Sequence, residues 1–412
     1  MVTDRGERLL SGLVDASHLM SMQQIPTALA EHAARAEFRS VLIYVADLQQ
    51  SVLRLLPERD GRSALHAEAA ELRIDATLAG RAFQTLETVQ SQDTGGDGEV
   101  WWVPLLDGSE RIGVLRVAVD RGDEEAPELL RRLSALVALM VVSKRPYSDT
   151  HAQLVRMQPM TVSAEMQWRL MPPLTFANDR ISIGAVLEPA YDIGGDAIDY
   201  GLAGDMVNLA IFDAMGHDTA SGLTANLAVA SCRNSRMEGV GLETMARRIG
   251  EALTGQFEHG TYVTAVLAAL DTRSGVLSWT NHGHPPPVVV RGGRWVTALS
   301  CPPSGPLGTG FDEDAILCTE QLEPGDRLLL YTDGIIEARN ADRQEFGLHR
   351  FVDFIIRHNA DGLPVAETLR RLIRSILDHH AGKLDDDASV LLLEWRGSGE
   401  ASPATAGTRK RI

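Results

Sequence analysis

The sequence predicts an α+β chain: an N-terminal α/β part, a connecting helix, and a C-terminal β-sandwich flanked by helices. Three observations predict it. At 412 residues the chain is too long for one ordinary core, so two or three domains are expected. Strand-like and helix-like apolar patterns mix over residues 5–145. From residue 180 to 396 short apolar runs dominate, set off by turns and interrupted by helical spacing.

In chain order, apolar spacing from Leu9 through Leu29 predicts helices. Val41–Val45 with Val52–Leu56 reads as one strand pair, and Val100–Leu106 with Ile112–Val119 as another, turning at Asp107-Gly108-Ser109. The acidic, Gly-rich Asp93–Glu99 reads as a mobile loop, and Leu129–Val142 as a closing helix. Residues 151–171, inside a connecting segment of 146–175, read as one helix stopped by Pro172-Pro173. Met160, Ala164, Gln167 and Met171 share a face there, with Trp168 beside it; the helix is a plain spacer or a transmitter of signals. Over 176–396, strands are predicted at Ile181–Leu187, Val207–Phe212, Tyr262–Leu270, Val276–Thr280, Val288–Val290, Leu328–Thr332 and Ser389–Trp395. Helices are predicted at Thr219–Met237, which carries Leu223, Leu227 and Ala230, and around Leu242, Met245, Ile249 and Leu253. A last one, Val365–His379, presents Leu369, Leu372, Ile373 and Ile376 on one side.

Composition narrows the function classes. Hydrophobic content of 44% and charged content of 23% suit a soluble globular protein. No apolar run approaches the ~20 residues that cross a bilayer, and MVTDRGERLLSG lacks the apolar core of a secretion signal. Three scattered cysteines, Cys232, Cys301 and Cys318, predict neither a zinc site nor a disulfide framework, which fits a cytoplasmic location. A net charge of −17 excludes a nucleic-acid groove. The basic Arg409-Lys410-Arg411 sits in a tail, 397–412, expected to be disordered.

Four segments share a theme. YDIGGDAIDYG (191–201) places Asp196 after a glycine pair, VNLAIFDAMGHD (207–218) ends an apolar strand at Asp213, and LLLYTDG (328–334) ends another at Asp333. LDDDASVLLLEW (384–395) opens a strand with Asp385, Asp386 and Asp387. Asp333-Gly334 alone is more often a hairpin turn, and Gly194-Gly195-Asp196 alone a loop. Several half-desolvated carboxylates close together would repel one another unless a cation neutralised them. An all-oxygen donor set favours Mg²⁺ or Mn²⁺ over zinc or copper. Two such ions would ready a water for in-line attack on phosphorus.

The order GGD, D-x-x-G-H, NxGHPPP, LLLYTDG and DD-x-S resembles the SpoIIE/RsbU-like branch of the metal-dependent protein phosphatases (the PPM, or protein phosphatase 2C, superfamily) over residues 165–396. Ser304-Gly305-Pro306-Leu307-Gly308 and Phe346-Gly347 resemble family landmarks too. The resemblance implies two ions, Mn²⁺ or Mg²⁺, with Asp213 bridging them and the Ala214 carbonyl helping. Asp333 and Asp386 would complete one ion's shell, and Asp196 would serve the other. Asp387 would support the ligands and Asp199 would be structural. His217 is either a proton donor or a loop-ordering residue, and His284 reads as structural. Asp218, Ala197 and His282 depart from the family pattern. The implied activity is hydrolysis of phosphoserine or phosphothreonine on a small regulatory protein, of the anti-sigma factor antagonist type.

AGRAFQTLETVQ (79–90) followed by VWWVPLLDGSERIGVLRVAV (100–119) resembles the second half of a GAF sensory domain, with Gly80, Pro104 and Gly113 in its apolar pattern. That implies a sheet between helices that binds a small ligand or builds a homodimer. Two rivals stand beside this reading. One is a catalytically silent phosphatase-like sensor or scaffold; the other, a nucleotide-dependent kinase or ATPase, lacks a GxxxxGK[ST] phosphate cradle.

Overall fold

The structure, a computed structural model, describes residues 4–57, 70–92, 98–192, 194–216, 218–257, 261–293, 295–310, 314–340, 342–360, 363–380, 384 and 386–397. It divides into two compact units, Met1–Pro159 and Met160–Ile412. His217, Asp385, most of the loop at 93–99 and the tail beyond residue 397 lie outside the described residues.

In the first unit, α1 (Asp4–Ser17) and α2 (Ile25–Arg35) lead into β1 (Ser40–Ala46) and β2 (Val52–Leu55). Then follow β3 (Glu71–Arg73), α3 (Leu78–Thr85), β4 (Val89–Gln92), β5 (Gly98–Asp107), β6 (Glu110–Asp120), α4 (Ala126–Lys144) and α5 (Asp149–Val155). The strands form one antiparallel sheet ordered β3-β2-β1-β6-β5-β4. Alternation splits its side chains between two cores. Ile43, Val45, Leu115 and Val117 face α1, α2 and α4, whereas Tyr44, Leu53 and Val114 face Phe83 of α3.

The connecting segment is not one helix. It breaks after α5 and resumes as α6 (Val162–Leu170). Pro159 is the reason: it lacks an N–H and pushes the residue before it out of helical geometry. Thr161 then caps α6 by accepting from the Ala164 N–H at 3.2 Å.

The second unit continues with β7 (Thr175–Ala177), β8 (Ile181–Glu188), β9 (Asp196–Ala203), β10 (Met206–Ala214), α7 (Thr219–Met237), α8 (Leu242–Gln256), β11 (Val263–Asp271) and β12 (Val276–His282). It ends with β13 (Val288–Arg291), β14 (Trp295–Ala298), β15 (Cys318–Gln321), β16 (Arg327–Tyr331), α9 (Asp333–Glu337), α10 (Gly347–Ala360), α11 (Val365–His379) and β17 (Ala388–Trp395). Two sheets result, β15-β12-β11-β10-β9 and β14-β13-β16-β17-β8-β7. Between them lies one core, with Ile211, Val266, Leu330 and Leu391. Outside the first sheet α7 and α8 cover Phe212 and Leu267; outside the second, α10 and α11 cover Leu329 and Val390. The predicted sandwich flanked by helices is the fold observed.

One expectation, the absence of a disulfide, is corrected here. α7 has its predicted bounds; Leu223 is 41% exposed, and Ala225, Ala228, Val229 and Cys232 are buried. Small residues let that helix lie close to the sheet. Cys301 and Cys318 are joined in a disulfide, their Cα atoms 5.9 Å apart, because the chain after β14 returns to lay Cys301 beside the first residue of β15. Among the described residues no helix is long and apolar enough to cross a membrane.

Candidate metal centre

Strand parity aims the aspartates. On β10, Val207, Leu209 and Ile211 point between the sheets, so Asp213 does as well, while Ala210, Phe212 and Ala214 point at the helices. On β9, Ile198 and Tyr200 point between the sheets, and so does Asp196, which lies opposite Asp213 in the ladder. Asp213 is near the end of β10 and Asp196 opens β9, so both occupy the same sheet edge.

The second sheet supplies the rest from the facing edge. Thr332 follows β16, is fully buried, and donates its hydroxyl to Asp196 Oδ2 at 2.7 Å. The Ser389 N–H donates to the same Thr332 oxygen at 2.9 Å. Asp387 Oδ2 accepts from the N–H groups of Gly194 (2.8 Å), Gly195 (2.7 Å) and Asp196 (3.3 Å). Asp386 Oδ1 accepts from the Asp387 N–H at 2.9 Å. Gln167 of α6, 1% exposed, donates to the backbone oxygen of Asp196.

Asp333-Gly334 is no hairpin turn. It opens the short helix α9, and Gly334 is not left-handed. What matters is its size: a Cβ there would sit 1.9 Å from the Asp387 carbonyl oxygen. Gly195 answers the same demand, since its Cβ would lie 2.4 Å from the Ala214 oxygen.

Electrostatics follow from this crowding. Burial, then the neighbouring Asp333, Asp386 and Asp387, push the Asp213 carboxyl up to about 7. Burial, then Asp387 and Asp213, push Asp196 well up. Asp333 is raised by burial and by Asp386, and Asp387 is raised chiefly by burial. No Arg or Lys is among the groups shifting these four. An oxygen-only, mutually repelling set with no cation among the described residues fits hard divalent ions. Among the described residues no group of three or more His, Cys, Asp or Glu is placed to hold a metal ion as it stands. A cavity of about 280 Å³ opens beside the cluster, lined by Gly334, Glu337, Ala338, Arg339, Leu384 and Asp386.

Asp196, Asp213, Asp333 and Asp386 are thus brought to one end of the sandwich, with the Ala214 carbonyl beside Gly195. Thr332 and Gln167 were not singled out for this site from the sequence. A hydroxyl directly before Asp333, on the inward-facing parity of Leu328 and Leu330, was the available signal for Thr332. Asp199, three residues from Asp196, points outward and pairs with Arg233 and Arg236 of α7, both at 2.7 Å. Asp218 caps α7, accepting from Ala220 and Ser221, in an extended conformation that needs no glycine.

A two-sheet sandwich clad in helices, with aspartates brought to one end, is the arrangement that the resemblance to the protein phosphatase 2C superfamily implies. Residues 203–396 match the sequence profile of the family described as "Stage II sporulation protein E (SpoIIE)". That span contains Asp213, Asp333 and Asp386; Asp196 lies just before it. Protein IcfG of Synechocystis sp. is 23% identical over 243 residues, 52% of this chain and 38% of IcfG. Phosphoserine phosphatase RsbU of Bacillus subtilis is 20% identical over 274 residues, 65% of this chain and 80% of RsbU. Among solved structures, the SiaA-PP2C domain of Pseudomonas aeruginosa is 21% identical, with a TM-score of 0.48, covering 56% of this chain and 94% of that domain.

Proposed function

We propose that the protein is a metal-dependent serine/threonine phosphoprotein phosphatase working with two Mn²⁺ or Mg²⁺ ions. One observation carries the reading: aspartates from four separated segments meet at one edge of the sandwich with no cation among the described residues to neutralise them. In this reading Asp196, Asp213, Asp333 and Asp386, with the Ala214 carbonyl, would hold the ions. When bound, such ions lower the pKa of water and neutralise phosphoryl oxygens. The chain's own part is to hold Asp196 through Thr332 and Gln167, and to hold Gly194–Asp196 through Asp387. The substrate is a phosphorylated serine or threonine on a small signalling protein of the anti-sigma factor antagonist type, met in the cytoplasm. The name of the Bacillus relative supports the phosphoserine part.

The first unit completes the proposal as a GAF-like sensor that binds a small ligand or pairs two chains. Its sheet, covered on both faces by helices, supports this. Gln167 links α6 to Asp196, a route by which the connecting segment sets activity. A silent scaffold is the second reading, favoured by the open arrangement of the carboxylates. Hydrolysis of p-nitrophenyl phosphate with and without Mn²⁺ decides between them. We expect metal-dependent turnover, and its near-complete loss in Asp333→Ala with the fold kept. Normal Mn²⁺-dependent turnover in that variant would overturn the ligand assignment; metal-bound but inert wild-type protein would favour the scaffold.

A further inference from the structure

The NxGHPPP motif is left without a task by the metal site as described. His284 follows β12 and is 5% exposed. Asn281 fixes its backbone from both sides: Nδ2 donates to the His284 oxygen at 2.8 Å, and the His284 N–H donates to Oδ1 at 2.9 Å. Pro285, Pro286 and Pro287 stiffen the chain that follows. The ring therefore has little freedom to choose where it points.

Its two nitrogens reach different sheets. Nε2 lies 3.1 Å from the Tyr331 carbonyl oxygen on β16, and Nδ1 lies 2.8 Å from the Thr264 hydroxyl on β11. A carbonyl oxygen only accepts, so Nε2 carries the proton and Nδ1 accepts from Thr264. Burial pushes the ring's pKa down to about 3, which keeps it neutral. Thr264 pairs directly with Asp213 across the β10–β11 ladder. Tyr331 stands two residues before Asp333. The other contacts between the sheets here use carboxylates of the site itself, through Thr332–Asp196 and Asp387. The His284 ring makes its link with no charge of its own.

Resting on the phosphatase reading above, we propose that His284 is a positioning residue of the metal centre: spanning from Thr264 to the Tyr331 carbonyl, it sets the separation of Asp213 and Asp333 and with it the affinity for the ions. An isolated core histidine would have no reason to touch both the ladder neighbour of Asp213 and the strand that leads into Asp333.

Mn²⁺ affinity of the full chain, by calorimetry and by the Mn²⁺ spin-resonance signal, tests this alongside melting temperature. Partners that orient metal ligands are worth about 10–100-fold in affinity. We expect His284→Leu to weaken Mn²⁺ binding by that range, and His284→Gln, which restores a donor toward Tyr331, to recover part of the loss. Thr264→Val removes one link and leaves the ring in place, so it decides the matter even where His284→Leu fails to fold; we expect a several-fold weakening with the melting temperature nearly unchanged. Wild-type affinity in Thr264→Val overturns the proposal. Wild-type protein that binds no Mn²⁺ overturns the phosphatase reading, and this inference with it.

Discussion

The two faces of the β9 strand treat buried carboxylates in opposite ways. On the helix side Asp199, 1% exposed, is met by Arg233 and Arg236. On the inner side Asp196, 2% exposed, meets Asp213 and Asp387 and only neutral donors. Burial raises both acids, but the arginines offset it at one and nearby carboxylates add to it at the other. A buried charge that is neutralised internally ties strand to helix. One left for an outside cation costs stability until that cation arrives.

The largest effect that would sharpen this contrast is expected at Asp199→Ala. It strands two guanidinium groups against the sheet and should cost about 3–5 kcal/mol, read by denaturant unfolding. A loss below ~1 kcal/mol would break the comparison. Next comes the pH dependence of the metal-free protein. Asp213 holds its proton up to about 7 when folded but releases it near 4 when unfolded, so the unfolded state binds fewer protons between those values. Stability should therefore fall as pH rises from about 4 to 7, by roughly 2–4 kcal/mol, and level off above. Melts in chelator should show this slope; Asp213→Asn and added Mn²⁺ should each flatten it. A melting temperature that climbs over the same range would contradict the assignment. The smallest effect is expected at Asp218→Ala, an exposed cap outside both faces, at about 1 kcal/mol with metal affinity intact.

Much of this was legible in the residues. Apolar runs bounded by turns marked seven strands of the sandwich, and the aspartates at their ends marked the site. β9 was harder to see as a strand, because Asp196, Asp199 and Gly201 break the apolar alternation that strand reading depends on. The reason for those breaks is tertiary: one acid meets arginines from α7, and the other faces the second sheet. The buried face of α7 is hard to read from sequence, because leucines signal burial more loudly than the alanines and glycine that close packing selects. Pro159 was visible but outweighed by the periodicity around it. The Cys301–Cys318 bond depends on a loop path that spacing does not encode.

The hydrogen bond from the Asp196 N–H to Asp387 joins positions 191 residues apart. During synthesis the first sheet's carboxylates leave the ribosome long before the residue that anchors their loop. No nascent chain that stops short of residue 387 can make that bond, so this end of the sandwich must wait until β17 has emerged and locked home.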